Sequence, residues 1–265
     1  MVVVIVVAVL ALLAGLAANR YLRPRIITAD DSEGMAVKDL VAPLLTLTIL
    51  LLAFVLVTAS GSYGKAEVAA RGEARALDQL VETAEYAPAA QRGRIQADAV
   101  CYARAVRSRE WPAMAEGKGS TAPSVWSTDF RRAFAEVQGT PVFGMLVGAD
   151  HKRSDEREER LTQATPSIPG AIFWFLLATL TLTVMALGVC LPRRNNRGQL
   201  ITLALITALL TTTLCIIRDV DRPFGGVTAV QPTAITEIGR QADRDFLANH
   251  SASELPCDAE GLRRG

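Results

Sequence analysis

Histidine and cysteine are scarce in this sequence, and the patterns that hold metals are missing. The 265 residues include two histidines, His151 and His250, and four cysteines. The histidines are far apart, neither belongs to a metal-ligand spacing, and no CxxC pair occurs. Phosphate-binding glycine loops, the dinucleotide fingerprint and the hydrolase nucleophile elbow are also missing. We therefore predict no catalytic residue, no metal and no cofactor, and we do not expect an enzyme.

An excess of charge of either sign is also missing. The sequence has 28 Lys and Arg against 27 Asp and Glu, a formal net charge of +1. Such a balance supplies no surplus of cations to neutralise phosphates, so nucleic acid is not an expected partner. The charges are unevenly distributed, however. Four windows contain no Asp, Glu, Lys or Arg: residues 2–18, 40–59, 171–191 and 200–217.

These four windows predict transmembrane helices. A helix rises 1.5 Å per residue, so about 20 apolar residues cross a hydrocarbon core of roughly 30 Å. The window 2–18 is short enough to be the apolar part of a signal peptide. Its arginines follow the apolar run instead of preceding it, which favours an uncleaved anchor. The predicted fold is therefore an all-α polytopic membrane protein in a lipid bilayer, with paired spans in 1–59 and a second transmembrane hairpin in 170–218.

Cations in the short connections predict the orientation. They are Arg20, Arg23, Arg25, Lys38, Arg193, Arg194 and Arg197. Short loops rich in Lys and Arg stay in the cytoplasm. The prediction is thus an N-out, C-out protein of the bacterial cell membrane, with residues 60–169 outside the cytoplasm.

Residues 60–169 have helical periodicity throughout and predict a helical bundle inserted between spans two and three. Apolar positions recur at helical spacing, for example Ile95, Ala99, Tyr102 and Val106, which leaves Cys101 off the apolar stripe and more accessible. Trp111-Pro112 is predicted to end that helix. In the following helix we expect Val142, Met145, Leu146 and Ala149 to be buried. The neutral charged run 151–160 then predicts a solvated face with a Glu156–Arg160 pair.

The segments 60–169 and 219–265 lie on the same predicted side of the membrane, and each contains one cysteine. Cys101 and Cys257 would form a disulfide if that side is oxidising. Two free thiols are the alternative. The C-terminal segment 219–265 has a pattern that also predicts a short amphipathic helix through Ile235, Ile238, Ala242 and Phe246. This helix would lie either on the membrane or on the bundle.

Small residues repeat along the last two spans. Thr179, Thr183, Ala186 and Cys190 lie on one face of the third span, and Ala204, Ala208, Thr211 and Cys215 on one face of the fourth. Small faces allow helix backbones to approach closely in lipid, which predicts a tight antiparallel hairpin. In the alternative interpretation the threonines line a polar path, although hydroxyls bonded to the preceding turn explain them equally well.

The exit of span four is crowded with charge. Its residues are Arg218, Asp219, Asp221, Arg222, Pro223 and Phe224, followed by Gly225-Gly226. In an oligomer the four charged residues would form a ring or a ligand site. As structural elements they would be interfacial anchors paired with each other, with Phe224 in the headgroup region and Pro223 ending the helix.

Three short motifs resemble the bestrophin-like family of bacterial and plant four-span membrane proteins. They are Asp221 to Gly226 after the last span, Tyr63-Gly-Lys-Ala66 followed by Glu73-Ala74, and Tyr102 leading to Glu110-Trp111-Pro112-Ala-Met114. The resemblance covers most of residues 40–232 and implies a distant relation to pentameric anion channels. Those channels hold calcium in an acidic cluster after the last span and have a cytoplasmic large domain. The acidic cluster here, Asp30, Asp31 and Glu33, lies in the first loop, so no pore or calcium residue is carried over.

Two functional hypotheses follow. The resemblance implies a homo-oligomeric channel or solute-passing protein in which an uncharged face of span two, with Thr46, Ala53 and Val57, lines a narrow path. The alternative is a non-transporting scaffold or sensor whose bundle binds a partner or ligand. The lack of ionisable residues in the four windows motivates this alternative.

Overall fold

The structure is a computed structural model that describes residues 1–21, 37–191 and 197–264. Arg23, Arg25, Arg193 and Arg194, and the acidic cluster 30–33, lie outside the described residues, and the side chain of Lys38 is not described. Within these ranges all regular structure is helical, apart from an isolated bridge between Cys257 and Arg263. This confirms the predicted all-α class.

Nine α-helices are described. They are α1 (Val2–Tyr21), α2 (Val37–Ala84), α3 (Ala89–Ala105), α4 (Trp111–Ala115), α5 (Ala122–Ala135), α6 (Pro141–Thr162), α7 (Gly170–Val189), α8 (Arg197–Val220) and α9 (Thr233–Leu247). A π-helical segment, Val106–Glu110, joins α3 to α4, and a 3-10 turn covers Ala252–Glu254. Helices α1, α2, α7 and α8 are long and apolar enough to cross a membrane, as predicted.

The described chain divides into two compact units. The membrane unit comprises Met1–Gly61 and Ser167–Asp221, and the bundle unit comprises Ser62–Pro166 and Arg222–Gly265. Helix α2 contributes residues to both units.

Within the membrane unit, α7 packs more extensively against α1 than against α8. A Cβ atom added to Gly15 would lie 2.9 Å from the carbonyl oxygen of Met185, and one added to Gly188 would lie 3.0 Å from the Cα of Gly15. The closest helix pair is therefore α1–α7 and not the predicted α7–α8 hairpin. The reason is that glycine brings two backbones closer than alanine or threonine allows.

The threonines of the spans bond within their own helices. Thr179, Thr207 and Thr211 each donate to the carbonyl four residues earlier at 2.7–2.8 Å. Thr183 does the same and also lies 2.7 Å from the Thr48 hydroxyl of α2. This geometry agrees with the packing interpretation of the small faces.

The bundle unit has one apolar core. Its largest buried side chains include Tyr102, Trp126, Phe130, Phe134 and Leu146. Met145, which we expected to be buried, is 53% exposed, because the buried stripe of α6 runs through Val142, Leu146 and Ala149. The amphipathic helix α9 packs on α3 of the bundle through Ile235, Ala242 and Phe246, which decides between its two predicted locations.

Trp111-Pro112 does not end the helix that contains Tyr102. The chain continues through the π-helical segment into α4, and the backbone N–H of Trp111 donates to the carbonyl of Val106. Pro112 lies in the first turn of α4, where a missing N–H costs little. A proline that normally ends a helix thus starts a new turn here.

Candidate functional site

The most charged part of the bundle interior centres on the guanidinium of Arg160. We call Glu73, Tyr102, Glu110, Arg157 and Arg160 the Arg160 cluster. Its members come from α2, α3, the π-helical segment and α6. Three of the six residues that carry the family-like motifs, Glu73, Tyr102 and Glu110, meet here, although up to 37 residues separate them along the chain.

Arg160 is fully buried, and all three of its guanidinium nitrogens have partners. Nη2 lies 2.5 Å from Glu110 Oε2 and 3.1 Å from Glu73 Oε1, and Nε donates to Glu73. Nη1 lies 2.9 Å from the sulfur of Met114. The guanidinium carbon is 5.1 Å from the centre of the Trp111 ring, within cation–π range.

Arg157 and Tyr102 complete the cluster. Arg157 Nη2 donates to Glu110 at 2.5 Å and to the carbonyl of Ser120 at 3.0 Å. The Tyr102 hydroxyl donates to Glu73 Oε1 at 2.5 Å. Two carboxylates face two guanidinium groups, so the cluster is neutral and every charge has a counter-charge.

Burial and pairing act in opposite directions on the titration of this cluster. Burial works against the charged form of Glu110, but hydrogen bonds and charge from Arg157 and Arg160 outweigh it and hold the pKa of Glu110 below its ordinary value. Burial, reinforced by the charge of Glu73, raises the pKa of Tyr102, so its hydroxyl stays protonated and remains a donor.

A second buried guanidinium lies beside the cluster. Arg153 donates to Asp150 through Nε at 2.9 Å, and its guanidinium carbon lies 4.5 Å from the centre of the Tyr102 ring. Its Nη1 atom is the one buried side-chain nitrogen or oxygen without a hydrogen-bond partner in the described parts of the chain.

The predicted solvated face of 151–160 is wrong for Arg153 and Arg160, which are fully buried. Arg160 pairs with Glu73 and Glu110 and not with Glu156. The reason is periodicity: Arg153, Arg157 and Arg160 continue the buried stripe of Val142, Leu146 and Ala149. That continuation is a signal in the sequence that could have identified these arginines as inward-facing.

The other motif residues lie around Trp111. Its indole nitrogen donates to the carbonyl of Val230 at 2.9 Å, and Tyr63 donates to the carbonyl of Thr228 at 2.8 Å. Pro112 follows in the first turn of α4. Through Tyr63 and Trp111, the family-like motifs thus connect α2 and α4 to the segment after the last span.

Phe224 is buried against Trp111 in an edge-to-face contact, with ring centres 5.4 Å apart. The expectation that it enters the headgroup region is therefore wrong, because the aromatic pair buries both rings. Pro223 is buried beside it, and Arg222 is exposed. Gly225 approaches α4 so closely that an added Cβ atom would lie 2.5 Å from the carbonyl oxygen of Ala115.

The charged residues at the exit of α8 have separate roles in the structure. Asp221 accepts hydrogen bonds from the backbone N–H groups of Ser167 at 3.0 Å and Ile168 at 2.9 Å, so it caps the chain before α7. The guanidinium carbon of Arg218 lies 4.7 Å from the centre of the Phe173 ring. Asp219 is buried. The partners of Asp221 are backbone amides and Ser167, and not the neighbouring arginines that we expected.

Cys101 and Cys257 form a disulfide with their Cα atoms 5.7 Å apart. Both residues are fully buried, so the prediction of an accessible Cys101 is wrong. The face of α3 outside its apolar stripe is covered by residues 248–264, which we call the tail. Trp126 donates to the carbonyl of Gly261 at 2.8 Å, and Gly261, with φ +78°, lies directly on the α3 backbone.

No set of three or more His, Cys, Asp or Glu side chains suited to a metal ion occurs in the part of the chain that the structure describes.

Comparisons with known proteins agree with this fold. A model of the bestrophin-like domain matches residues 5–235. A bacterial bestrophin homologue from Klebsiella pneumoniae is 13% identical, with a TM-score of 0.71, covering 93% of this chain and 99% of its own. A variant of that homologue gives 13% identity and a TM-score of 0.67 over 92% and 99% of the two chains. A solved structure of a variant membrane protein is 13% identical to this chain, with a TM-score of 0.68. The match covers 94% of this chain and 100% of that one. No curated protein matches the chain. Because the family model spans most of the sequence, the protein belongs to the bestrophin-like family.

Proposed function

We propose that this protein is a homo-oligomeric membrane channel or solute-passing protein with a bestrophin fold. The observation that carries the proposal is the match to the bestrophin-like domain over residues 5–235, together with a bestrophin-like fold over 93% of the chain. Four apolar helices supply the membrane spans, and the compact unit containing Ser62–Pro166 supports a helical domain inserted between spans two and three.

An exposed face of α2 is our proposed path for the solute. Thr46, Ala53 and Val57 recur at i, i+7 and i+11, and all three are exposed in the single chain. They carry no charge, and the Thr46 hydroxyl bonds to the carbonyl of Ala42. When several copies assemble around an axis, this face is available to line a narrow path.

Cysteine accessibility tests the path. The variant Val57→Cys is made in a background that carries Cys190→Ala and Cys215→Ala. We expect its current in planar bilayers to fall at least severalfold when a charged thiosulfonate reagent modifies the new cysteine. Leu205→Cys, which is exposed on α8 outside the proposed path, is the matched control and should not respond. Reconstituted protein that passes no current or flux and is monomeric by native mass spectrometry would overturn the proposal.

We also propose that the bundle unit lies outside the cytoplasm. The Cys101–Cys257 disulfide supports this topology, since such bonds persist mainly in oxidising compartments. We expect an impermeant maleimide to label Val68→Cys, which is exposed in the bundle unit, in intact cells. Gly198→Cys, at the start of α8, should react only after lysis. The reversed labelling pattern would contradict the topology.

The alternative function is a non-transporting scaffold or sensor that binds a partner or ligand through the bundle. The neutral, fully paired Arg160 cluster supports the scaffold or sensor function. Such a cluster stiffens the bundle but offers no unpaired charge to a conduction path. The current measurement described above separates the two functions.

A further inference from the structure

Four arginines line one cavity of the bundle unit. We call it the arginine cavity; its volume is about 440 Å³. Arg104 and Arg107 reach it from α3 and the π-helical segment, Arg240 from α9, and Arg264 from the tail. Asp243 is the single carboxylate among its lining residues, so the lining carries a net charge of +3.

Within the described residues, two of the four arginines have a carboxylate partner, and two have none. Asp243 is bonded to Arg104 at 3.1 Å, and Arg104 also donates to the carbonyl of Asp258 at 3.3 Å, so its guanidinium is held in place. Arg240 pairs with Glu237 at 2.8 Å, but both side chains are more than half exposed, and such pairs contribute little.

The remaining two arginines have even less compensation. Arg264 donates to the carbonyl of Ser253 at 3.4 Å, a long bond to a neutral group. Arg107 is exposed, and no salt bridge joins it to a carboxylate in the described ranges of the chain. Like charges gathered at one concave surface repel one another, and a bound anion relieves that repulsion.

The walls of the cavity are fixed by the fold. Gly239 of α9 lies so close to α3 that an added Cβ atom would be 2.7 Å from the Cβ of Ala103. The tail residues Ala259 and Arg264 both follow Cys257, which the disulfide ties to α3. The small side chains leave the space open, and the disulfide holds the backbone of the tail, which carries Arg264, against α3 before any ligand arrives.

We propose that the arginine cavity binds a compact oxyanion with two or more negative charges, of the phosphate-ester or diphosphate class. Planar guanidinium groups bind phosphate oxygens in bidentate geometry and are weakly hydrated, which suits them to this chemistry. The cavity volume lies within the range of small-molecule sites. A soluble phosphate compound and a phospholipid headgroup share this chemistry.

Inorganic pyrophosphate is the probe. We expect saturable binding, measured by isothermal titration calorimetry, to the full-length protein in phosphatidylcholine nanodiscs. The variant Arg107→Ala/Arg240→Ala should bind pyrophosphate at least tenfold more weakly. The matched control Arg71→Ala/Arg92→Ala removes the same charge from surface pairs elsewhere in the bundle unit and should stay within twofold of the unmodified protein.

Nanodiscs that contain phosphatidic acid distinguish the two sources of phosphate. If the cavity binds a phospholipid headgroup, phosphatidic acid should compete with pyrophosphate and weaken its binding at least tenfold. If the cavity binds a soluble phosphate compound, the affinity for pyrophosphate should be the same in both kinds of nanodisc. Absence of saturable pyrophosphate binding in phosphatidylcholine nanodiscs would overturn the proposal, as would equal binding by the Arg107→Ala/Arg240→Ala variant. The measurement requires no current, so it is independent of the proposed channel function.

Discussion

Arg160 shows how a charged residue is accommodated in the interior of a small helical domain. Moving a guanidinium out of water is costly, and only counter-charges with good geometry offset the cost. Glu73 and Glu110 provide them, and Met114 and Trp111 occupy the remaining faces. Removing one of the two carboxylates leaves the buried cluster with one uncompensated positive charge.

We therefore expect Glu73→Gln to lower the free energy of unfolding by about 3–5 kcal/mol, because it breaks a fully buried ion pair. Glu67→Gln removes an exposed carboxylate that pairs with Arg71 on the same helix, and should cost less than about 1 kcal/mol. Urea unfolding of the detergent-solubilised protein, followed by a signal from the bundle unit, measures the free energy of unfolding of both variants. Equal effects of the two variants would contradict the structural importance of the Arg160 cluster.

Asp98 gives the bundle a pH dependence. Burial, with the charge of Asp129 adding to it and Arg94 and Arg263 opposing it, raises the pKa of Asp98 to about 7. The folded state thus holds this proton more tightly than the unfolded state does. Its contribution is fully present below the unfolded pKa of about 4 and is lost as pH rises through 7.

For Asp98→Asn we expect a gain of about 1–3 kcal/mol at pH 8 and almost none at pH 4, because the amide cannot ionise. Thermal unfolding across this pH range measures the difference. An equal shift at both pH values would show that ionisation of Asp98 is not the cause.

At the residue scale the sequence identified three of the five members of the Arg160 cluster. The family-like motifs singled out Glu73, Tyr102 and Glu110, but Arg157 and Arg160 were assigned to a solvated face. The run 151–160 balances its own charges, so local pairing appeared sufficient. The two carboxylate partners of Arg160 lie 50 and 87 residues away, and the composition of a single helix cannot reveal them.

Helix pairs set the architecture of the membrane unit, and the α1–α7 pair depends on glycine. We expect Gly188→Leu to prevent the close approach to Gly15 and to destabilise the unit by more than about 1–3 kcal/mol, the usual range for overpacking. Gly61→Leu, with open space around the added side chain, is the matched control. Unfolding in increasing sodium dodecyl sulfate, followed by circular dichroism, compares the two variants.

The disulfide between α3 and the tail is the second feature at the scale of elements. Cys257→Ser should lower the free energy of unfolding by about 2–5 kcal/mol, since it releases a link between residues 156 positions apart. A reducing agent should lower the melting temperature of the unmodified protein and leave that of the variant unchanged. Identical responses to the reducing agent would argue against a bond in the folded protein.

Helix positions were predictable to within about three residues where an uncharged window marks a span, as for α1, α7 and α8, and the end of α2 was predictable from Pro88. The π-helical segment was not, because Trp111-Pro112 is a normal stop signal when read locally. The choice of α1 as the partner of α7 depends on two glycines that meet only after folding, Gly15 and Gly188.

For the whole molecule, the four uncharged windows were sufficient to predict a membrane protein with four helical spans. We expect the protein to remain in vesicles after an alkaline carbonate wash and to need detergent for release, since helices of 20 or more apolar residues are integral. Recovery in the carbonate supernatant would contradict this. The assembly and the orientation are proposals because they depend on neighbouring copies and on loops outside the described residues.

The bundle unit is built from two stretches of chain, Ser62–Pro166 and Arg222–Gly265, with α7 and α8 between them. A ribosome therefore delivers the second stretch only after the last two spans have been made. Until then Trp111 lacks Phe224, and Cys101 lacks Cys257. Completion of the bundle must therefore wait until residues 222–265 have been synthesised.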